Sequence, residues 1–359
     1  MLEAIARRAA PDEVTIEPQP AVFDGSGVRL NGEAEVTVSR SSIALRFRRN
    51  GDVAIPKAAY GETNGTVTAT RADSFAAEVN DAGKAGNGDQ LFSSRAIRIG
   101  GVPAGAAVAA TRLVFAGDAW SGNGTIGDRR FVVAPLAVDV VSHHDRRLAV
   151  VLEGTLDEAA IETIGRACAF VAGIDVELLR VERYDRDGLL LDADHRRGFR
   201  RVGRGTHSPF TGVPNQDRTR AWAALVEAFP RLLADGIPVD MIVDQLSAHN
   251  QVAQIHVSAA LLLLATQTAA YQRGGIRKLS DELGLGLTEE DVQRFEALRV
   301  ELLESGFFHA PGYETGRPQR DIKFLRDLAH VTVLRLCGYS GPFYGAERFV
   351  VRELTAAVS

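Results

Sequence analysis

Ser42-Ile43-Ala44-Leu45-Arg46-Phe47-Arg48 decides the reading of the first part of the chain. Successive side chains of an extended strand point to opposite faces, so Ile43, Leu45 and Phe47 share one face and Arg46 and Arg48 the other. That alternation predicts a strand with one buried side and one wet side. The same signature continues outward. Further strands are expected at Gly65–Thr70, Ser93–Ile99, Ala110–Phe115 and Arg130–Val141. Asn-Gly, the strongest short hairpin signal, occurs at Asn31-Gly32, Asn50-Gly51, Asn64-Gly65, Asn87-Gly88 and Asn123-Gly124, and nowhere later. Short strands at this spacing predict an antiparallel sandwich over residues 1–145, with a barrel as the alternative.

The pattern then changes. Residues 146–194 read as a small β-α-β-β connector. It has a strand at Leu148–Leu152, a helix through Ile161, Ile164, Cys168 and Val171, and two strands joined by a hairpin turn at Asp185-Arg-Asp-Gly188. Residues 195–216 form a linker whose first part, His195 to His207, holds five arginines, two histidines and no acid. Residues 217–359 read as helical. Trp222, Leu225, Val226, Phe229 and Leu232 make one stripe, and Val252–Arg273 is nearly all apolar, as a buried central helix would be. Thr288 caps a helix with Glu289, Glu290 and Asp291 in its first turn. The expected class is α+β and multidomain: a β sandwich, an α/β connector and an all-α helical bundle.

Composition excludes several functions. At 359 residues and a net charge of −5, the chain is no polycation that coats nucleic acid, so any such role needs a local patch. The longest aliphatic stretch, Val257 to Ala265, is too short for a bilayer, which needs about 20 residues. The opening MLEAIARRAAP has no apolar signal core, so a cytoplasmic protein without membrane contact is expected. Two cysteines, Cys168 and Cys337, exclude a disulfide scaffold and an all-cysteine zinc site. His143 and His144 are adjacent and would face opposite sides of a strand, so no metal site is expected there, and no cofactor motif is complete.

The candidate chemistry lies in two places. In the linker, Arg196, Arg197, Arg200, Arg201 and Arg204 could grip phosphates, with Phe199 able to stack on a base; the other reading is a solvated connector. In the helical part, Arg326 and His330 are spaced to share a helix face, with Asp327 beside them.

The order of elements in residues 252–344 resembles the HEPN superfamily of helical nucleotide-binding and RNase domains. It includes Leu298-Arg299, Gly306-Phe-Phe-His309, Phe324-Leu-Arg-Asp-Leu-Ala-His330 and the closing Val333 to Tyr344. More narrowly, the chain is similar to bacterial antiphage proteins of the ApeA type, in which a β domain precedes a HEPN domain. The resemblance implies a metal-independent RNase site. In that site an arginine is followed, after roughly four to six residues, by a histidine able to move the ribose 2′-hydroxyl proton. Here Arg299 is followed by Glu301 and Glu304 instead, and Arg326 and His330 are separated by only three residues. The expectation is a HEPN-like defence or stress protein with a degenerate nuclease motif. It would bind RNA, sense or assemble rather than cut efficiently, with Arg326, His330 and Asp327 or Arg299 and Glu304 as the remnant. The resemblance and the apolar surplus in Val252–Ala270 and Val331–Tyr344 imply a homo-oligomer, with a protein partner for the β domain. The competing class is a recognition or structural protein, with a ligand-binding β sandwich on a helical oligomerisation domain.

Overall fold

The computed structural model describes residues 1–9, 13–25, 28–39, 42–50, 64–69, 75–84, 89–100, 106–136, 146–174, 176–196, 208–250, 252, 254–271, 273–306, 317–347 and 350–355. Six strands open the chain after a short helix, α1 (Leu2–Ala6): β1 (Glu13–Gly25), β2 (Val28–Ser39), β3 (Ile43–Arg49), β4 (Asn64–Ala69), β5 (Phe75–Lys84) and β6 (Gln90–Gly100). They are ordered β3-β2-β1-β4-β5-β6, and β3 pairs back onto β6 from Ile43↔Ser94 to Phe47↔Gln90. The result is a closed antiparallel barrel rather than the expected sandwich. Closure satisfies the backbone groups that two open sheets would leave along their edges.

The alternation read from the sequence holds. Ile43, Leu45 and Phe47 are buried inside the barrel, while Arg46 and Arg48 face outward. Phe23 stacks on Phe92 with centroids 5.2 Å apart, and Ala21, Ala34, Ala69 and Ala77 leave room for these rings. The Asn-Gly pairs are another matter. Asn31-Gly32 lies within β2 and Asn64-Gly65 begins β4. Glycine serves there for close approach, not for a turn. A Cβ on Gly32 would run into the Arg48 carbonyl oxygen, and one on Gly65 would sit 2.7 Å from the Phe23 ring. Gly51 and Asn87-Gly88 lie outside the described residues.

A second group of strands continues the same sheet: β7 (Ala110–Ala116), β8 (Gly122–Ile126), β9 (Arg129–Leu136), β10 (Arg147–Glu153), β11 (Glu177–Tyr184) and β12 (Leu190–Arg196). From β6 the order runs β12-β11-β7-β10-β9-β8. Asn123-Gly124 falls inside β8 and is again no turn. Helix α2 (Glu158–Ala172) covers one face, capped by Asp157 at its start and by Gly173 in the left-handed conformation at its end. Its buried Ile161, Ile164, Cys168 and Val171 join Leu113, Phe115, Val150 and Leu152 of the sheet. The same core runs on into the helices α3 (Asn215–Ala234), α4 (Val239–His249), α5 (Ile255–Tyr271), α6 (Ile276–Leu283), α7 (Glu289–Ser305) and α8 (Arg317–Leu336). Trp222 of α3 meets Phe131 of β9 edge-on at 4.9 Å. A hairpin of β13 (Gly341–Gly345) and β14 (Val350–Leu354), absent from the sequence reading, closes the described chain.

The opposite face of the second sheet is covered by α1, whose Leu2, Ile5 and Ala6 pack on Ala110, Val151 and Tyr184. Beneath it lies a buried ion pair, Arg112 to Glu182 at 2.9 Å. Tyr184 donates its hydroxyl to the same carboxylate, and Arg112 also donates to the Arg8 carbonyl. Burial pushes the Tyr184 phenol up to about 12. Breaking such a pair by removing one partner typically costs about 3–5 kcal/mol, so this cluster fixes the N-terminal segment on the sheet. Among the described residues, no helix is long and apolar enough to cross a membrane.

A candidate anion-binding groove at the junction of barrel and sheet

β6 changes partner along its length. Residues Gln90 to Ser94 pair with β3 and close the barrel, whereas Ala96 to Gly100 pair with β12 and open the second sheet. The switch falls on a β-bulge. On the β5 side, Ala77 pairs with Ile97 and Val79 with Ser94, so two steps of β5 match three of β6 and Glu78 faces both Arg95 and Ala96. Buried Ser94 stabilises the bulge: its hydroxyl lies 2.6 Å from the Glu78 carbonyl oxygen and 2.7 Å from that of Ala96.

The extra residue has a consequence for charge. In a regular strand Arg95 and Arg98, three apart, would point to opposite faces. The bulge puts both on the outer wall of the barrel, where they line a groove of about 570 Å³. Ala76 and Ala96 also line it, leaving room above the strands, and Thr66, Glu78, Asn80 and Asp194 supply further polar groups. Burial raises the Asp194 carboxyl above the ordinary carboxylate range, against the opposing pull of Arg196, Arg98 and Arg183. The volume suits a small ligand or one segment of a strand, not a duplex. Two guanidiniums beside two carboxylates fit a ligand that carries phosphate together with hydrogen-bond donors.

Arg196 stands at the end of β12, opposite Ala96 of the groove. It is half-buried and engages Glu158 through two bonds, of 2.7 and 2.9 Å, with Asp194 3.6 Å away. His195 and Arg196, read as the start of the linker, are therefore strand residues. Arg197, Phe199, Arg200, Arg201 and Arg204 lie outside the described residues, as do His143 and His144. β12 thus ends at Arg196, beside the groove.

No family model, curated protein or solved structure matches this chain.

The helical candidates sit elsewhere. Arg326, Asp327 and His330 share α8. The Asp327 carboxylate accepts the backbone N–H groups of Ala346 (2.7 Å) and Glu347 (2.9 Å) and so anchors the turn after β13. The His330 ring is buried edge-on against Phe170 of α2, with centroids 5.5 Å apart. Burial also lowers the Arg326 guanidinium pKa. On α7, Arg299 bonds Glu296 one turn back at 2.7 Å, and Glu304 is exposed. The Asp185 side chain accepts the N–H groups of Asp187 and Leu189, as a hairpin turn requires. Among the described residues, no cluster of three or more His, Cys, Asp or Glu side chains is placed to hold a metal.

Sequence reading passed over Arg95, Arg98, Glu78 and Asp194. A signal was present: Phe92 and Ile97 both face the barrel interior although they are an odd number of residues apart. That is the footprint of a bulge.

Proposed function

We propose that this chain binds single-stranded RNA without cutting it, gripping the phosphate backbone at the barrel groove and along the arginine-rich segment that follows β12. One observation carries the reading: the bulge brings Arg95 and Arg98 into a single groove at the root of a segment with four further arginines. The net charge of −5 fits a local basic patch rather than general attraction to nucleic acid. The HEPN-like helical domain and the defence or stress role belong to the resemblance stated above and form part of the same proposal. Asp327 serving backbone groups and His330 packed on Phe170 favour a scaffold role for α8 over proton transfer.

The test is fluorescence anisotropy with a labelled single-stranded RNA across a salt series. Replacing Arg95 and Arg98 with Gln should weaken binding and flatten the slope of log affinity against log salt by about 1.4, since each phosphate contact on a single strand contributes about 0.7. Gln at Arg197, Arg200, Arg201 and Arg204 should flatten it further. The same RNA should stay intact in chelator-treated protein. Unchanged binding by both variants, or cleavage abolished by His330→Ala, overturns the reading.

A further inference from the structure

The groove is polarised across its strands. The order β4-β5-β6-β12 sets Thr66 on β4, Glu78 and Asn80 on β5, Arg95 and Arg98 on β6, and Asp194 on β12. Thr66 pairs directly with Glu78, and Glu78 in turn faces Arg95 and Ala96 across the bulge. One side therefore offers a hydroxyl, a carboxylate and an amide. The other offers two guanidiniums backed by Asp194. Neighbouring strands lie about 4.8 Å apart, so the Glu78 side and the Arg95 side are one strand spacing from each other. Glu78, Arg95 and Arg98 are exposed, and among the described residues no hydrogen bond or ion pair joins them to one another.

These charges constrain what can lie there. Glu78 and Asp194 offset Arg95 and Arg98, so the groove has no surplus of positive charge for a run of phosphates. An internal ribose of an RNA strand carries a phosphate on its 5′ side and another on its 3′ side, and one of the two would meet the Glu78 carboxylate. The last ribose differs. Its 3′ side ends in a hydroxyl next to the 2′-hydroxyl, and one carboxylate can accept both. We propose that the groove takes the 3′-terminal nucleotide of the strand. Glu78 accepts the free 2′,3′-diol, with Thr66 and Asn80 beside it, while Arg95 and Arg98 hold the phosphate on the 5′ side of the same ribose. Phosphate and diol lie on opposite sides of one sugar ring, which matches a guanidinium and a carboxylate on neighbouring strands. Asp194 stands on the phosphate side, directly opposite Arg98, and takes no part in the diol contact. The inference rests on RNA binding at the groove and adds that an end, not the middle of a strand, is bound there.

The test uses the full chain and one 5′-labelled single-stranded RNA made with three 3′ ends: the natural diol, a 3′-deoxy end and a 3′-phosphate. Anisotropy should show the diol end bound about tenfold more tightly than the 3′-phosphate end, as expected for hydrogen bonds to a charged group, with the 3′-deoxy end between them. Glu78→Gln should erase this preference, because the amide lacks the second acceptor for the diol and no longer repels the phosphate. Arg95→Gln combined with Arg98→Gln should weaken binding of all three ends. Circular dichroism should be unchanged in both variants, since the replaced side chains are exposed. Equal binding of the three ends by the wild type, or a preference that survives in Glu78→Gln, overturns the inference and leaves RNA binding standing. Binding of none of the three ends overturns both.

Discussion

The Ser94 hydroxyl bridges to the carbonyl oxygen of Glu78 at 2.6 Å, across one of the two places where β5 and β6 fall out of step. Its second contact, 2.7 Å to the Ala96 carbonyl oxygen, and the Ala96 N–H that it accepts at 3.3 Å hold the extra residue of the bulge from within. The direction of Arg95 therefore depends on a side chain that never touches the groove.

Replacing Ser94 with Ala should have two separable effects. Stability should fall by about 1–3 kcal/mol, the usual cost of leaving a buried polar group without its partner, read as a lower denaturant midpoint. RNA affinity should fall as well, at temperatures where the variant is fully folded, because the bulge no longer fixes Arg95. Full affinity in a destabilised Ser94→Ala protein would mean that strand pairing alone aims Arg95.

The two parts of the structure were legible to different degrees. Ile43, Leu45 and Phe47 disclosed the barrel wall because period-2 burial is local, and the Thr288 cap disclosed α7 because its reciprocal bonds with Asp291 span three residues. Barrel closure was not legible, since the β3–β6 pairing joins segments some fifty residues apart and leaves no mark on either strand alone. The Asn-Gly signal misled at Gly32 and Gly65 because crowding by Arg48 and Phe23, visible only in three dimensions, also demands glycine. The groove was hidden for a related reason: strand alternation assigns Arg95 and Arg98 to opposite faces, and only the bulge unites them. On α5, composition correctly marked an apolar helix, but it could not tell a side covered by α4 and α8 from one facing solvent.

His195 yields a pH dependence of stability. It is buried in β12 opposite Arg180, and burial together with that guanidinium lowers its pKa from 6.5 to about 3. The unfolded chain then binds a proton below pH 6.5 that the folded protein refuses. Stability is present in full above pH 6.5 and is lost as pH falls from 6.5 towards 3, by up to about 1.4 kcal/mol per pH unit from this residue. Urea unfolding of wild type and His195→Gln at pH 7 and pH 5 checks it. The wild type should lose more stability than the variant over that interval. Equal losses would mean that His195 takes up its proton in the folded state.

Asp194 yields a pH dependence of binding with the opposite sign. Its carboxylate lines the groove beside Arg98, and burial holds its pKa above the ordinary carboxylate range. Ionised, it opposes a phosphate in the groove; protonated, it becomes a neutral donor. A phosphodiester and the arginines keep their charges throughout this range. RNA affinity should therefore rise once the pH is low enough for this carboxyl to take up its proton, and Asp194→Asn should bind more tightly than wild type at pH 7. The rest of the chain is common to both proteins, so the informative quantity is the difference between them. That difference should shrink with falling pH, as the wild-type carboxyl comes to resemble the amide. The two bonds between Arg196 and Glu158 do not involve Asp194, so the end of β12 should stay in place in the variant. Anisotropy titrations from pH 7 down to the acid limit of the folded proteins decide the matter: weaker or equal binding by Asp194→Asn at pH 7 would place the phosphate away from this carboxylate and out of the groove.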